Sequence, residues 1–235
     1  MELTERQKLI LGGVIEEYIN SANPISSGEL IKKHDFGIGT AMIRIEMERL
    51  EGEGYLWQPF VSSGRVPTDK AYRYSVDKIL EEKIPEFKTI GQIERLLIEE
   101  SDLFKLALEI TRFLASSSSS IAFFGLPEKA ILLKEGWEGM VREPEFLDRE
   151  FFANFADFVS DFENSFNDFE VENNIRVSIG LENTLPRAKN LSLISCACSL
   201  PGGQKGFLTI AGPKRMAYKK NISLINSLTK LMAEL

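Results

Sequence analysis

Histidine and cysteine are almost missing from this sequence: His34 is its one histidine, and Cys196 and Cys198 are its only cysteines among 235 residues. One imidazole and a single Cys-X-Cys supply neither four zinc ligands nor a histidine-based catalytic set. They also form no disulfide framework of the kind that staples secreted domains. Most hydrolase chemistry is excluded, no metal or cofactor is called for, and a reducing cytoplasm is expected. No apolar run approaches the roughly 20 residues that cross a bilayer. Residues 1–6 are polar, unlike the lead into a signal sequence, so the chain reads as neither secreted nor membrane-bound. Gly202 and Gly203 after Pro201 read as a hairpin turn, since no phosphate-loop lysine and serine follow them, and nucleotide binding has no motif to stand on.

A basic balance is lacking as well. Lys and Arg number 28 against 35 Asp and Glu, a net charge of −7, so contact with a polyanion has to be built locally. The charge is segregated. Residues 62–78 hold four bases (Arg65, Lys70, Arg73, Lys78) against two acids, whereas residues 145–172 hold nine acids against Arg149 alone. A hydrophobic fraction of 43% and a charged fraction of 27% are those of a folded protein, long enough for one large or two ordinary domains.

Apolar residues at helical spacing predict a first helix over 4–20, with Thr4 and Gln7 as a capping box. Ser26 or Ser27 caps a short second helix running to His34, and a turn with two glycines leads into a third, whose inner face is Ile43, Met47 and Leu50. Residues 55–58 and 65–66 read as strands of a hairpin around the turn Ser62-Ser63-Gly64. Thr68 caps a fourth helix with Tyr72, Val76, Ile79 and Leu80 inward. Helix, short helix, turn, helix and hairpin in succession form the layout of a winged helix-turn-helix. Beyond Pro85, residues 101–114 read as a helix and the serines at 116–120 as a linker or loop. Strands are expected at 121–124, 130–133, 175–180, 191–199 and 205–211, with helices over 145–169 and 216–235. The second domain is then a mixed sheet with helices, in α+β style. The expected divisions are 1–84, a helical linker over 85–120, and 121–235.

The residues Leu3-Thr4-Glu5-Arg6-Gln7, Pro24-Ile25-Ser26-Ser27, Ile43-Arg44 with Glu46-Met47, and above all Ser63-Gly64-Arg65-Val66-Pro67-Thr68-Asp69-Lys70 with Tyr72-Arg73-Tyr74 resemble the HrcA family of heat-inducible transcription repressors. Pro144-Glu145-Phe146, Ile179-Gly180, Glu182-Asn183 and the stretch from Gly206 to Tyr218 are similar more loosely. The resemblance implies a winged helix followed by a GAF-like α+β domain, and a homodimer that represses chaperone genes from an inverted-repeat operator called CIRCE. It also implies activity that depends on a chaperonin. Only residues 125–132 stand where the family has a long inserted dimerisation segment, so the GAF-like domain is expected to be a reduced one.

With Ile43, Met47 and Leu50 inward, Ala41, Ile45, Glu48 and Gly52 face outward with Arg44 and Arg49 on the flanks, and this face is expected in the major groove of DNA, with Thr40 a further candidate contact. Arg44 reads as a bidentate donor to guanine or a phosphate grip, or else as a solvated arginine. Ile45 and Met42 stand where the resemblance leads one to expect asparagine and threonine. Ile45 either touches a thymine methyl or marks a weakened readout. Ser62, Ser63, Gly64 and Arg65, with Arg65 at the hairpin tip, suit phosphate or the minor groove. Lys70 and Arg73, three apart on the fourth helix, are candidate phosphate contacts.

Other features have plainer readings. Tyr55 and Trp57 read as hairpin packing before stacking platforms, and His34 as a charge on a helix C-terminal dipole. Cys196 and Cys198, on one face of a strand, read as small buried residues. The Phe-rich acidic segment reads as rings buried and acids in water. Two alternatives to a repressor remain: a regulator gated by a ligand in the α+β domain, and a protein-interaction module docking through that acidic face.

Overall fold

A computed structural model of the chain describes residues 3–87, 91–100, 102–169, 171–200 and 203–234. The chain forms two compact units, Met1–Glu81 and Glu82–Leu235. Among the described residues no helix is long and apolar enough to cross a membrane.

In the first unit α1 (Glu5–Ser21) begins where Thr4 and Gln7 cap each other. The Gln7 amide donates to Thr4 Oγ1 at 3.3 Å and the Thr4 amide to Gln7 Oε1 at 2.9 Å. Ser26 and Glu29 repeat the device at the head of α2 (Ser27–Lys33). After the turn, α3 (Thr40–Gly52) buries Ile43, Met47 and Leu50 in one core with Ile10, Leu11 and Val14 of α1 and Leu30 of α2. Burial of each such side chain contributes about 1.5–3 kcal/mol, and together they fix how α3 lies on α1. Strands β1 (Leu56–Trp57) and β2 (Val66–Pro67) pair antiparallel, Trp57 opposite Val66. Thr68 Oγ1 accepts from the Ala71 amide at 3.4 Å and donates to the Gly54 carbonyl at 2.7 Å, which joins the head of α4 (Asp69–Glu81) to the end of α3. Tyr72 and Val76 are buried; Ile79 and Leu80 are only half-buried.

The expected dipole role of His34 is corrected. Its Nε2 lies 3.0 Å from Glu17 Oε1 on α1, and the Lys33 ammonium donates to the other oxygen of the same buried carboxylate. Lys33 holds the Glu17 carboxyl below its ordinary range, against the opposing pull of burial, and His34 adds to the effect. A side chain that reaches a buried carboxylate gains more than one left to a solvated helix end.

The second unit opens with α5 (Gly91–Glu99) and α6 (Leu103–Ser118). Residues 85–120 are not a linker: α6 buries Leu106, Ala107, Ile110 and Leu114 and packs on the sheet and on the last helix. Ser101, the expected start of this helix, lies outside the described residues; Asp102 caps it instead. The serine run is not a loop either. Ser116 and Ser118 donate to the carbonyls of Phe113 and Ala115 in the final turn of α6, a use to which short hydroxyl side chains are suited, and Ser119 ends the helix in the left-handed conformation.

The strands β3 (Ile121–Leu126), β4 (Ile131–Glu135), β5 (Arg176–Ile179), β6 (Leu191–Leu200) and β7 (Gln204–Pro213) form one sheet in the order β4-β3-β7-β6-β5. Every pair is antiparallel, so the expectation of a mixed sheet is corrected. Short connections impose this on two of the pairs, β3–β4 through a 3-10 turn at Pro127–Lys129 and β6–β7 through its turn, since neither has room for a parallel crossover. Pro201 and Gly202 of that turn lie outside the described residues. Alternate residues face opposite ways. Ile194, Cys196, Leu208 and Ile210 lie on the side of α6 and α9 (Tyr218–Ala233), where Ser192 Oγ meets Tyr218 Oη at 2.6 Å. Burial raises the thiols of both cysteines, that of Cys198 to about 12.

The other face, with Phe123, Leu191, Leu193 and Phe207, is covered by α8 (Arg149–Ser165) through Phe155, Phe158 and Phe162, with α7 (Trp137–Met140) adding Met140. Gly125 admits the Phe207 ring, since a Cβ there would lie 2.2 Å from it. Residues 145–169 are not one helix. Pro144–Leu147 is a 3-10 turn, Asp148 caps α8 by accepting from the amides of Glu150 and Phe151, and a second 3-10 turn follows at Phe166–Asp168. A wholly antiparallel sheet between paired helices and a Phe-rich helix is the GAF-like α+β arrangement.

Candidate nucleic-acid interface

The turn between α2 and α3 sets the two helices as a helix-turn-helix, and the β1–β2 hairpin makes the wing beside it. The backbone of Ile25, just before α2, bridges that of Arg65: the Ile25 amide donates to the Arg65 carbonyl at 2.9 Å and the Arg65 amide to the Ile25 carbonyl at 2.8 Å. Gly64 permits this approach, because a Cβ would lie 2.4–2.6 Å from the Ile25 backbone. The wing is thereby tied to the head of α2. Between α2, α3 and the wing lies a groove of about 500 Å³, lined among others by Ser26, Arg44, Glu48, Gln58, Ser62 and Arg65.

Five of the expected residues meet in that groove: Arg44, Ser62, Ser63, Gly64 and Arg65. Thr40, Ala41, Ile45 and Arg49 are exposed on α3 outside it, and Lys70 and Arg73 stand on α4. Two readings are corrected. Arg65 is not at the wing tip: it sits at the base, its side chain 14% exposed, with Nε 2.8 Å from Glu51 Oε2. Pairing with Ile25 draws it inward, and the tip is Phe60, Val61 and Ser62, with Val61 90% exposed. The Ser63 hydroxyl is taken up inside the turn, donating to the Phe60 carbonyl at 2.8 Å while the Gln58 side chain holds the Ser63 carbonyl. Gly64 is there for close packing on Ile25, whatever else it contacts. Tyr55 packs against Tyr74 as expected, whereas Trp57 stays half exposed.

Ser26 and Gln58 belong to the groove without having been expected there, whereas Glu48, which also lines it, was placed on the outer face of α3 by periodicity. The Ser26–Glu29 cap was visible in the sequence. The pairing of residue 25 with residue 65, which brings Ser26 to the wing, leaves no local pattern to read.

Electrostatically the first unit is not basic, with ten Lys and Arg against thirteen Asp and Glu. All five expected bases already have partners. Arg44 Nε lies 3.4 Å from Glu48 Oε1, Arg49 Nη1 3.0 Å from the buried Glu46, and Arg65 pairs with Glu51. Lys70 donates to the Glu53 carbonyl and sits over the Tyr55 ring, and Arg73 pairs with Asp77. Such a surface presents little net field to a phosphate backbone.

The second unit has a cavity of about 310 Å³ over β5 and β6, with Asp168, Arg176, Ser178 and Ser195 as polar walls and Phe169 and Leu193 as apolar ones.

A helix-turn-helix with a paired wing, followed in the same chain by an antiparallel α+β unit, is an architecture of the winged-helix class. Residues 71–222 match the family model for the HrcA protein C terminal domain, and the chain belongs to the HrcA family. It is 35% identical over 130 residues to the "Heat-inducible transcription repressor HrcA" of Acetivibrio thermocellus, a match covering 55% of this chain and 37% of that protein. Against the protein of the same name from Thermoanaerobacter pseudethanolicus it is 28% identical, covering 100% of this chain and 97% of the relative. That alignment has 334 positions, against 235 residues in this chain. A crystal structure of a hypothetical protein at 2.2 Å shares the fold, with a TM-score of 0.78 and 18% identity over 99% of this chain and 97% of the other.

Proposed function

We propose that the protein is a DNA-binding repressor of heat-inducible genes that recognises an inverted-repeat operator as a homodimer. The observation that carries this reading is the groove in which the exposed side of α3 and a backbone-tethered wing meet, in a chain whose family relatives are named heat-inducible transcription repressors. The outer face of α3 enters the major groove, with Arg44 at a base edge or phosphate and Thr40, Ala41, Ile45 and Arg49 around it. Ser62 and its neighbours at the wing tip reach the backbone or minor groove, and Lys70 and Arg73 lie at the margin. Two-fold symmetry in the operator calls for two chains, and a chaperonin that restores folded dimer would couple repression to free chaperone capacity.

The test is a fluorescence-anisotropy titration against a labelled inverted-repeat chaperone operator and a scrambled duplex. The expected result is a preference of about 10³-fold or more, with two chains per duplex. Equal binding to both duplexes would overturn the reading. Arg44→Ala should lower operator affinity by about 1–3 kcal/mol.

The cavity of about 310 Å³ in the second unit favours a second reading, a ligand that gates DNA binding. It predicts that a metabolite panel contains a compound that raises the melting temperature and alters operator affinity together.

A further inference from the structure

Met42 and Ile45 are 41% and 42% exposed on α3, the helix whose opposite side fills the core with Ile43, Met47 and Leu50. Three residues apart on one helix, they stand about 5–6 Å from each other on the same flank. Arg49 belongs to that flank too, and its guanidinium is held on the carboxylate of Glu46, which is buried beneath it. Arg44 is steadied by Glu48 on the opposite flank. The surface is therefore two apolar side chains framed by two arginines that already have carboxylate partners.

In the major groove the donor and acceptor atoms of all four bases need polar partners, and neither a thioether nor a branched alkyl chain is one. The groove offers a single apolar feature, the 5-methyl group of thymine. Base pairs follow each other every 3.4 Å, so side chains about 5–6 Å apart span neighbouring steps. We propose that Met42 and Ile45 read adjacent thymines in the operator half-site through their 5-methyl groups. This rests on the DNA-binding reading above and adds the base it selects. The readout is one of shape and desolvation. It requires the helix to be held at a fixed depth, which the wing tied by backbone to the head of α2 helps to set.

Each methyl group withdrawn from water contributes about four-fold in affinity, so two contribute about fifteen-fold. The test begins with selection of duplexes from a random library by the full-length protein, followed by synthesis of the winning site with deoxyuridine in place of thymidine at one position at a time. This exchange removes the 5-methyl group and leaves base pairing and the O4 acceptor intact. The expected result is a loss of about four-fold at one or two neighbouring positions in each half-site and no change elsewhere. Met42→Ala and Ile45→Ala should bind the thymine site more weakly and lose the sensitivity to deoxyuridine at the position each contacts. Both residues are exposed, so circular dichroism and melting should match those of the unaltered chain. A selected site indifferent to deoxyuridine at every position, or a deoxyuridine penalty that persists in both variants, would overturn the proposal and leave the DNA-binding reading standing. If no duplex is enriched at all, that reading falls and takes this one with it.

Discussion

The two units carry charge of the same sign, ten bases against thirteen acids in the first and eighteen against twenty-two in the second, yet they dispose of it differently. In the first, the pairs are spread over all four helices and the wing, only Arg44–Glu48 and Arg65 bordering the groove, and an exposed strip of α3 is left apolar. In the second, the acids stand on the solvent side of α8 while Phe155, Phe158 and Phe162 pack on the sheet and Phe152 stays exposed. Asp157 and Asp161 are met by Arg187, Glu163 by Lys134, and Glu145 by Arg215. Read along the chain, residues 62–78 are basic and residues 145–172 acidic. In the fold both excesses shrink, because partners arrive from distant segments: Glu51 for Arg65, Arg187 for the acids of α8. A charge run in a sequence therefore overstates the field it produces.

The largest effect is expected from the second unit's core. Phe158 is fully buried and touches the rings of Phe123, Phe155 and Phe162, so Phe158→Ala should cost about 3–5 kcal/mol in denaturant unfolding of the full chain. A loss below about 1 kcal/mol would mean that α8 is not the core layer described. In the first unit a glycine whose role is backbone contact gives the next test. Gly64→Ala forces a Cβ into the Ile25 backbone and should cost about 1–3 kcal/mol, together with operator affinity, because the wing must leave α2. Gly12→Ala is its control: nothing lies within 4 Å of the added carbon on the exposed side of α1, and stability should rise by about 0.8–1 kcal/mol.

How much of this was legible without coordinates divides along the same line. Elements set by local chemistry were readable. The Thr4–Gln7 and Ser26 caps, the inward face of α3, the wing strands and all five strands of the second sheet follow from spacing and capping residues a few positions apart. What depends on contacts between distant segments was not. The bridge from Ile25 to Arg65 moved Arg65 from the tip to the base, and Glu17 rather than a helix dipole took His34. The serines of 116–120 resemble a loop in composition, yet they finish a helix, since their hydroxyls return to its own carbonyls. Of the site, the residues on α3 could be placed by periodicity. The groove they share with Ser26 and Gln58 could not.

Glu17 offers a smaller test within the first unit. Its folded carboxyl titrates below the unfolded value, so the stability it contributes is fully present above the unfolded pKa of about 4.3 and is lost as pH falls through the folded one. Glu17→Gln should cost about 1 kcal/mol at pH 7, a modest figure because Lys33 is largely exposed, and should flatten the acid limb of stability below the unfolded pKa of about 4.3. An unchanged acid limb would show that another carboxylate governs it.

The smallest effect separates two arginines that look equivalent in sequence. Arg44 is 75% exposed with a loose partner, whereas Arg65 is 14% exposed and bound to Glu51. Each phosphate neutralised steepens the dependence of log affinity on log salt by roughly 0.9. A base that keeps its carboxylate partner in the complex releases no counterion from DNA and adds nothing to the slope. Arg44→Ala should therefore lower the slope by about 0.9 per chain if that residue grips phosphate, and leave it unchanged if it binds a guanine edge. Arg65→Gln should cost about 1 kcal/mol of fold stability and leave the slope as it was. A drop of about 0.9 with Arg65→Gln would mean that Arg65 leaves Glu51 when DNA binds. The charge run of residues 62–78 would then deserve its face value, and the contrast between the units would be a property of the free protein alone.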